Sequence, residues 1–264
     1  MKPSELKLVV QEKYGKIATT AEDDKNSSCG CSSECCSSVD YTVFSEDYKS
    51  LEGYNPDADL NLGCGIPVEF AKIRRGDHVL DLGSGAGNDC FVARAIVGET
   101  GRVTGLDFTG PMLRKAEENR KKLGYSNIDF VRGDIEEMPL PENSYDVVLS
   151  NCVLNLVPDK QKAFSGIMRV LKPGGHFCVS DVVIKGDLPP KLRSDAELYA
   201  GCVAGASEFS EYTGIIRKTG FENIVIHKEK KIGLPDTMLS DVPEKNSFGI
   251  FSITISASKP IMNS

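Results

Sequence analysis

Short apolar runs alternate with amphipathic stretches and glycine turns along most of this chain. From about Gly76 the pattern predicts strand, helix, strand, helix. Val79-Leu80-Asp81-Leu82 predicts a buried strand, followed by a glycine-rich turn and a helix over Asn88 to Val97. Arg102 to Asp107 predicts the second strand. In the helix after it, Thr109 can cap, Pro111 fits the first turn and Gly124 closes the end. Ile128 to Val131 and Asp146 to Leu149 predict strands three and four. A helix from Pro158 to Leu171 meets the stop signal Lys172-Pro173-Gly174-Gly175, and Phe177 to Val183 predicts strand five. Helices follow over Lys191 to Cys202 and Glu208 to Thr219, with late strands at Ile224 to His227 and Ile250 to Ile255. This alternation predicts an α/β fold with a doubly wound, mostly parallel sheet. Ligands of such sheets bind beyond the carboxyl ends of the strands.

Residues 1–60 break the pattern. A short helix is predicted around Leu6 to Tyr14. Ala21 to Ser38 is polar and places Cys29, Cys31, Cys35 and Cys36 among serines. It is too poor in apolar residues to fold alone and predicts a mobile Cys/Ser-rich arm. The expected division is 1–60 for helix and arm, 61–185 for the core, and 186–264 for a C-terminal region.

Composition narrows the function. The 264 residues are 40% hydrophobic and 26% charged, as in globular domains. A net charge of -7 argues against nucleic acid, which needs a basic surface. The apolar stretch Phe248 to Ala257 is far below the ~20 residues of a membrane span. Charge interrupts Leu6-Lys7-Leu8-Val9-Val10, so no signal peptide is expected, and the cytoplasm is the expected compartment. Nine cysteines in a reducing compartment point away from a disulfide framework, toward core packing, metal ligation or redox chemistry.

The glycine turn Gly83-Ser84-Gly85-Ala86-Gly87 lets a ligand approach the backbone closely, and Asp107 ends the second strand where ribose hydroxyls are held. A nicotinamide site would show G-x-G-x-x-G, but here Asn88 stands at the last glycine position. Gly133-Asp134-Ile135, the run Pro141 to Asp146, and Leu171 to Gly175 complete a set that resembles the class I S-adenosylmethionine methyltransferases, with a Rossmann-like sheet. That resemblance implies S-adenosylmethionine as cofactor. It also implies roles. Asp81, Gly83, Ser84, Gly85 and Gly87 surround the methionine end, and Asp107 binds the ribose. Asp134 and Ile135 flank the adenine, Met112 packs on it, and Asn151 lies beside the sulfonium.

The methyl acceptor is the open question. Most acceptors need a general base. His78 and His176 precede strands one and five, at the wrong sheet edge, and His227 lies in a late strand. Asp181, Tyr199 or Glu208 could approach the site, and nothing marks one of them. Three thiols could converge instead: Cys152 directly after Asn151, Cys202 late in the helix after strand five, and Cys64 in Gly63-Cys64-Gly65. Cys90 and Cys178 read as core. Converging thiols suit a soft centre such as trivalent arsenic, whose lone pair can attack a methyl group without a base.

The residues then resemble the arsenite S-adenosylmethionine methyltransferase family. The matching pieces include Tyr14-Gly15, Gly63-Cys64-Gly65 with Pro67, Gly105 to Thr109, Ser150 to Lys160, and Gly201 to Ala206. Phe108 stands where Met is common, a volume-conserving change. The resemblance implies Cys152 and Cys202 as arsenic(III) ligands, with Cys64 joining them or pairing with an N-terminal thiol, Cys29 or Cys31. It implies arsenite or its thiol conjugates as substrate, and thioredoxin or glutathione as reductant. Antimonite is a possible second guest of the same thiols. Two other readings remain open at this point: a quinone- or sterol-type C- or O-methyltransferase, and a thiolate metal binder built on the arm.

Overall fold

A computed structural model describes residues 2–26, 46–186, 205–233 and 248–261. Its centre is a seven-stranded sheet of order β3-β2-β1-β4-β5-β7-β6. The strands are β1 His78–Leu82, β2 Arg102–Asp107, β3 Ile128–Arg132, β4 Tyr145–Asn151, β5 Leu171–Lys185, β6 Glu222–Ile232 and β7 Gly249–Ser258. The first five run parallel, while β7 is antiparallel to both β5 and β6. Central strands of such sheets are covered on both faces and so carry unbroken apolar runs. β1 and β4 follow that rule, with Val79, Leu80, Leu82, Val147, Val148 and Leu149 buried.

The helices are α1 Pro3–Asn26, α2 Asn88–Val97, α3 Gly110–Leu123, α4 Lys160–Val170 and α5 Phe209–Lys218. α4 and α5 cover one face of the sheet. Phe164, Phe177, Tyr212 and Phe221 meet there edge-on or tilted. α2 covers the other face through Cys90, Phe91, Ala93 and Val97. Cys178 packs in that cluster too, so both cysteines read as core lie in it.

The structure departs from the pattern-based expectations at several ends. α1 is 24 residues long instead of a short helix near Leu6 to Tyr14. Val10, Tyr14 and Ala18 recur every four residues on one face, with Val10 and Ala18 buried, and the helix packs against α3. Polarity after Ala21 does not end a helix that has no breaker, so the stretch expected to be arm is helical to Asn26. α4 starts later than expected because the Asp159 carboxylate caps it, accepting from the Lys162 N–H at 2.9 Å. Thr109 occupies the cap position of α3, but its side chain makes no cap hydrogen bond. Gly124 closes α3 in the left-handed region, φ 70°, as expected. Strand five begins at Leu171, six residues early. Leu171 pairs with Tyr145, a register shift follows, and pairing resumes at Val147 and His176. The Lys172–Gly175 stop therefore ends the helix and becomes an irregularity within the strand. β6 and β7 also extend well beyond the predicted late strands, because each pairs with a long neighbour. The helix expected over Lys191 to Cys202 and the Cys-rich arm beyond residue 26 lie outside the described residues. Among the described residues, no helix is long and apolar enough to cross a membrane.

Candidate functional site

A cleft opens at the carboxyl ends of β1, β2 and β4, with an empty volume of about 1230 Å³ including its mouth. Its floor is the glycine turn after β1. Gly83, Gly85 and Gly87 adopt φ of 69°, 52° and 98°. A Cβ on Gly83 would stand 2.4 Å from Val153, so only glycine fits. Asp107 holds the turn: its Oδ2 accepts from the Gly85 N–H at 3.0 Å and its Oδ1 from the Thr109 N–H at 2.7 Å. Met112, Asp134, Ile135 and Asn151 also line the cleft. Asp134 Oδ1 accepts from the Glu136 N–H at 2.9 Å, and Asp134 Oδ2 receives Lys7 Nζ of α1 at 2.6 Å. The first helix is thereby pinned across the rim.

Three buried carboxylates gather beneath the turn. Burial pushes Asp81 well above the usual carboxylate range, and its Oδ2 accepts from the Cys90 thiol at 3.2 Å. Burial likewise lifts Asp89 to about 6, against the pull of hydrogen bonds from Tyr48 and Asn151. Asp107 is raised for the same reason, opposed by its backbone donors. Ser84 Oγ and Asn88 Oδ1 are buried in the cleft wall with no hydrogen-bond partner among the described residues. Unpartnered polar atoms beside an acidic floor fit a ligand that is cationic and carries N–H and O–H donors.

The structure brings two of the expected thiols together. Cys152 follows β4 in the left-handed region, φ 59°, and its N–H donates to Ser180 O at 2.8 Å. Cys152 lines the cleft. Cys64 is buried and packs in the same apolar cluster, with Val10, Leu156 and Ala206. Its carbonyl accepts from Ser252 Oγ. Cys202, Cys29 and Cys31 lie outside the described residues, as does Tyr199.

The histidines stand apart from the cleft, as the positions of His78 and His176 at the wrong sheet edge predicted. His176 Nε2 hydrogen-bonds Ala71 O at 2.5 Å, and His227 stacks on Phe70 and meets Ser256 Oγ at 2.7 Å. The His78 N–H donates to Asp146. Glu208 caps α5. Asp181 is fully buried, accepts from Tyr212 Oη at 2.9 Å, and does not line the cleft. Near it, Lys160 Nζ donates to the carbonyls of Asn155, Val157 and Gly205, each at 3.1 Å, and ties the loop after Cys152 to Gly205.

Burial raises Asp181 to about 7 from 3.8. Its folded-state pKa exceeds the unfolded one, so it favours the fold while protonated. That contribution is complete below about pH 4 and is lost as pH rises to about 7. Asp181→Asn removes the dependence. The stability of the variant relative to the parent should therefore rise by roughly 4 kcal/mol from pH 4 to pH 8. Urea unfolding at both pH values measures this. Parallel pH profiles would show that folding leaves the Asp181 pKa unchanged.

Lys7, Tyr48 and Asp89 also line the cleft, and sequence reading missed them. Tyr48 and Asp89 meet only through a contact spanning 41 positions, and no local pattern signals it. For Asp89 a usable signal exists: an acid in the first turn of a helix directly after a glycine turn.

A model of a methyltransferase domain matches residues 73–224. The arsenite methyltransferase of Halobacterium salinarum is 38% identical over 98% of this chain and 68% of its own length. That of Homo sapiens is 33% identical over 84% of this chain and 59% of its own. The crystal structure of an arsenic(III) S-adenosylmethionine methyltransferase from Chlamydomonas reinhardtii superposes with a TM-score of 0.68 at 38% identity, covering 76% of this chain and 69% of that one. The chain spans 57% to 68% of the length of the curated arsenite methyltransferases it matches. At 38% identity over nearly its whole length and two thirds of that relative's, this chain belongs to the arsenite methyltransferase family.

Proposed function

We propose that this chain transfers methyl groups from S-adenosylmethionine to trivalent arsenic held by Cys64, Cys152 and Cys202. The observation that carries the reading is the packing of Cys64 and Cys152 in one apolar cluster, with Cys152 on the wall of the cofactor cleft. Residues 61–185 supply the cradle, while the regions before and after it supply Cys29 or Cys31 and Cys202.

The acidic floor suits the cofactor's charge. Asp107 is placed for ribose hydroxyls, and Ser84 Oγ and Asn88 Oδ1 can accept from the cofactor's donors. When bound, the cofactor supplies an electrophilic methyl group on a sulfonium. The thiols exchange with the three oxygens of arsenite, so three As–S bonds form and three waters leave. Thiolate ligands leave arsenic pyramidal with one lone pair, and the surrounding apolar side chains exclude water. The lone pair forms the As–C bond while the C–S bond to the sulfonium breaks and the neutral thioether leaves. Arsenic is thereby oxidised from the trivalent to the pentavalent state, and no proton moves. This accounts for a site without a histidine base. Fixing the reactants in line, at ~3–3.5 Å, accelerates the step. An N-terminal thiolate then attacks the Cys64 sulfur: the S–S bond forms, the As–S bond to Cys64 breaks with its electron pair returning to arsenic, and methylated trivalent arsenic stays on Cys152 and Cys202. Thioredoxin or glutathione in the reducing cytoplasm reduces the disulfide.

The test is incubation with S-adenosylmethionine, arsenite and excess dithiol, with arsenic species separated by element-specific chromatography. Mono- and dimethylated arsenic are expected. Tight cofactor binding without methylated arsenic under strong reduction would overturn the reading.

A further inference from the structure

The Gly63-Cys64-Gly65 loop is held between two walls. A Cβ on Gly63 would stand 2.7 Å from Asn151 Nδ2, and a Cβ on Gly65 would stand 2.5 Å from Ser180 Oγ. The glycines therefore let the backbone around Cys64 press against the ends of β4 and β5. Ser180 also receives the Cys152 N–H on its carbonyl, so one residue of β5 braces both thiol segments.

Asn151 grips the loop by both ends of its amide. Its Oδ1 accepts from the Cys64 N–H at 3.0 Å. Its Nδ2 donates to Gly65 O and to Tyr48 Oη, each at 2.8 Å, with Asp89 Oδ2 at 3.2 Å. The Tyr48 hydroxyl donates to Asp89 Oδ1 at 2.8 Å, which closes a ring of three side chains. Its next acceptor is Gly65 O at 3.1 Å. Asp89 belongs to the first turn of α2, directly behind the cofactor's glycine turn. The backbone of Cys64 is thus joined to the cofactor cradle through Asn151 and Asp89.

A phenol, an amide and a carboxylate are costly to bury, and apolar side chains of similar volume would fill the space with less penalty. What the ring adds is direction: three hydrogen bonds from it converge on one loop that has no regular structure of its own. We propose that Tyr48 and Asp89, acting through Asn151, are positioning residues that hold Cys64 beside Cys152 for arsenic(III). The proposal rests on the reading of these thiols as arsenic ligands. Neither Tyr48 nor Asp89 touches the reacting atoms in this scheme. Their effect is on where the Cys64 sulfur stands.

Tyr48→Phe keeps the ring and removes the hydroxyl, so Asp89 Oδ1 and Asn151 Nδ2 each lose a partner. KM for arsenite should rise about tenfold, by a clearly larger factor than the dissociation constant for S-adenosylmethionine. Alkylation of Cys64 by iodoacetamide, mapped by mass spectrometry, should be about tenfold faster than in the parent, with buried Cys178 as an unchanged internal reference. Gly65→Ala, which pushes the loop from the Ser180 side, should reproduce both effects. The proposal is overturned if Cys64 alkylation is unchanged in both variants. It is also overturned if cofactor affinity falls in step with arsenite KM, since that pattern marks general loosening. Failure of the parent enzyme to bind or methylate arsenite would sink the arsenic reading alone, and the alkylation rates would still decide the clamp.

Discussion

Replacing Cys152 by serine should lower arsenite methylation about a thousandfold, with S-adenosylmethionine binding within about twofold of the parent. The size follows from two losses. A serine hydroxyl is a hard, protonated ligand and cannot replace a thiolate on soft arsenic. An arsenic atom left with fewer anchors no longer presents its lone pair in line, and misplacement of about 1 Å can cost 100-fold by itself. A thousandfold is ~4 kcal/mol of transition-state stabilisation. Cofactor binding should survive because serine is close to cysteine in volume and the backbone bond from residue 152 to Ser180 O does not involve the side chain. Initial rates by arsenic speciation and cofactor titration by calorimetry read the two quantities separately. Methylation at the parent rate would remove Cys152 from the chemistry. Loss of cofactor binding would recast it as a structural element of the cleft.

Asp107→Ala should raise the dissociation constant for S-adenosylmethionine about 100-fold. Its carboxylate accepts from Gly85 and Thr109 N–H groups, and so fixes the glycine turn against the start of α3. Hydrogen bonds to a charged group contribute roughly 1.5–3 kcal/mol each. Losing the ribose contacts together with a looser turn gives about 3 kcal/mol, or two decades in affinity. Asp107→Asn, which keeps one acceptor oxygen, should fall between the two. Calorimetric titration on protein verified as folded by its thermal transition is the measurement. A dissociation constant within threefold of the parent would mean that Asp107 holds the turn without holding the cofactor.

Much of the architecture was legible because the signals are local. α2 over Asn88–Val97 and β2 over Arg102–Asp107 fall on their predicted ends, where a glycine turn and an acid mark the boundaries. Gly83, Gly85 and Asp107 were legible because a tight turn demands specific residue types. The misses have non-local causes. The length of α1 depends on packing against α3, and the lengths of β5, β6 and β7 depend on one another through pairing. The Lys7–Asp134 ion pair crosses 127 positions, and no spacing rule anticipates it. The Asp89–Tyr48–Asn151 ring is illegible for the same reason. Its members come from three separate segments, and each alone reads as an ordinary polar residue.

The reversal of β7 has a consequence for how such an enzyme can change. Because β7 runs against both neighbours, β5 ends at Lys185 opposite Gly249, and β6 ends at Ile232 opposite Ile250. β5 and β6 therefore both end at one edge of the sheet, the edge that carries the cleft. The cradle for the cofactor is built from strands on the other half of that edge. The junctions at Lys185 and Ile232 are thus the points where chain can be exchanged around Cys202, whereas Cys64 and Cys152 are fixed to the cofactor half of the sheet.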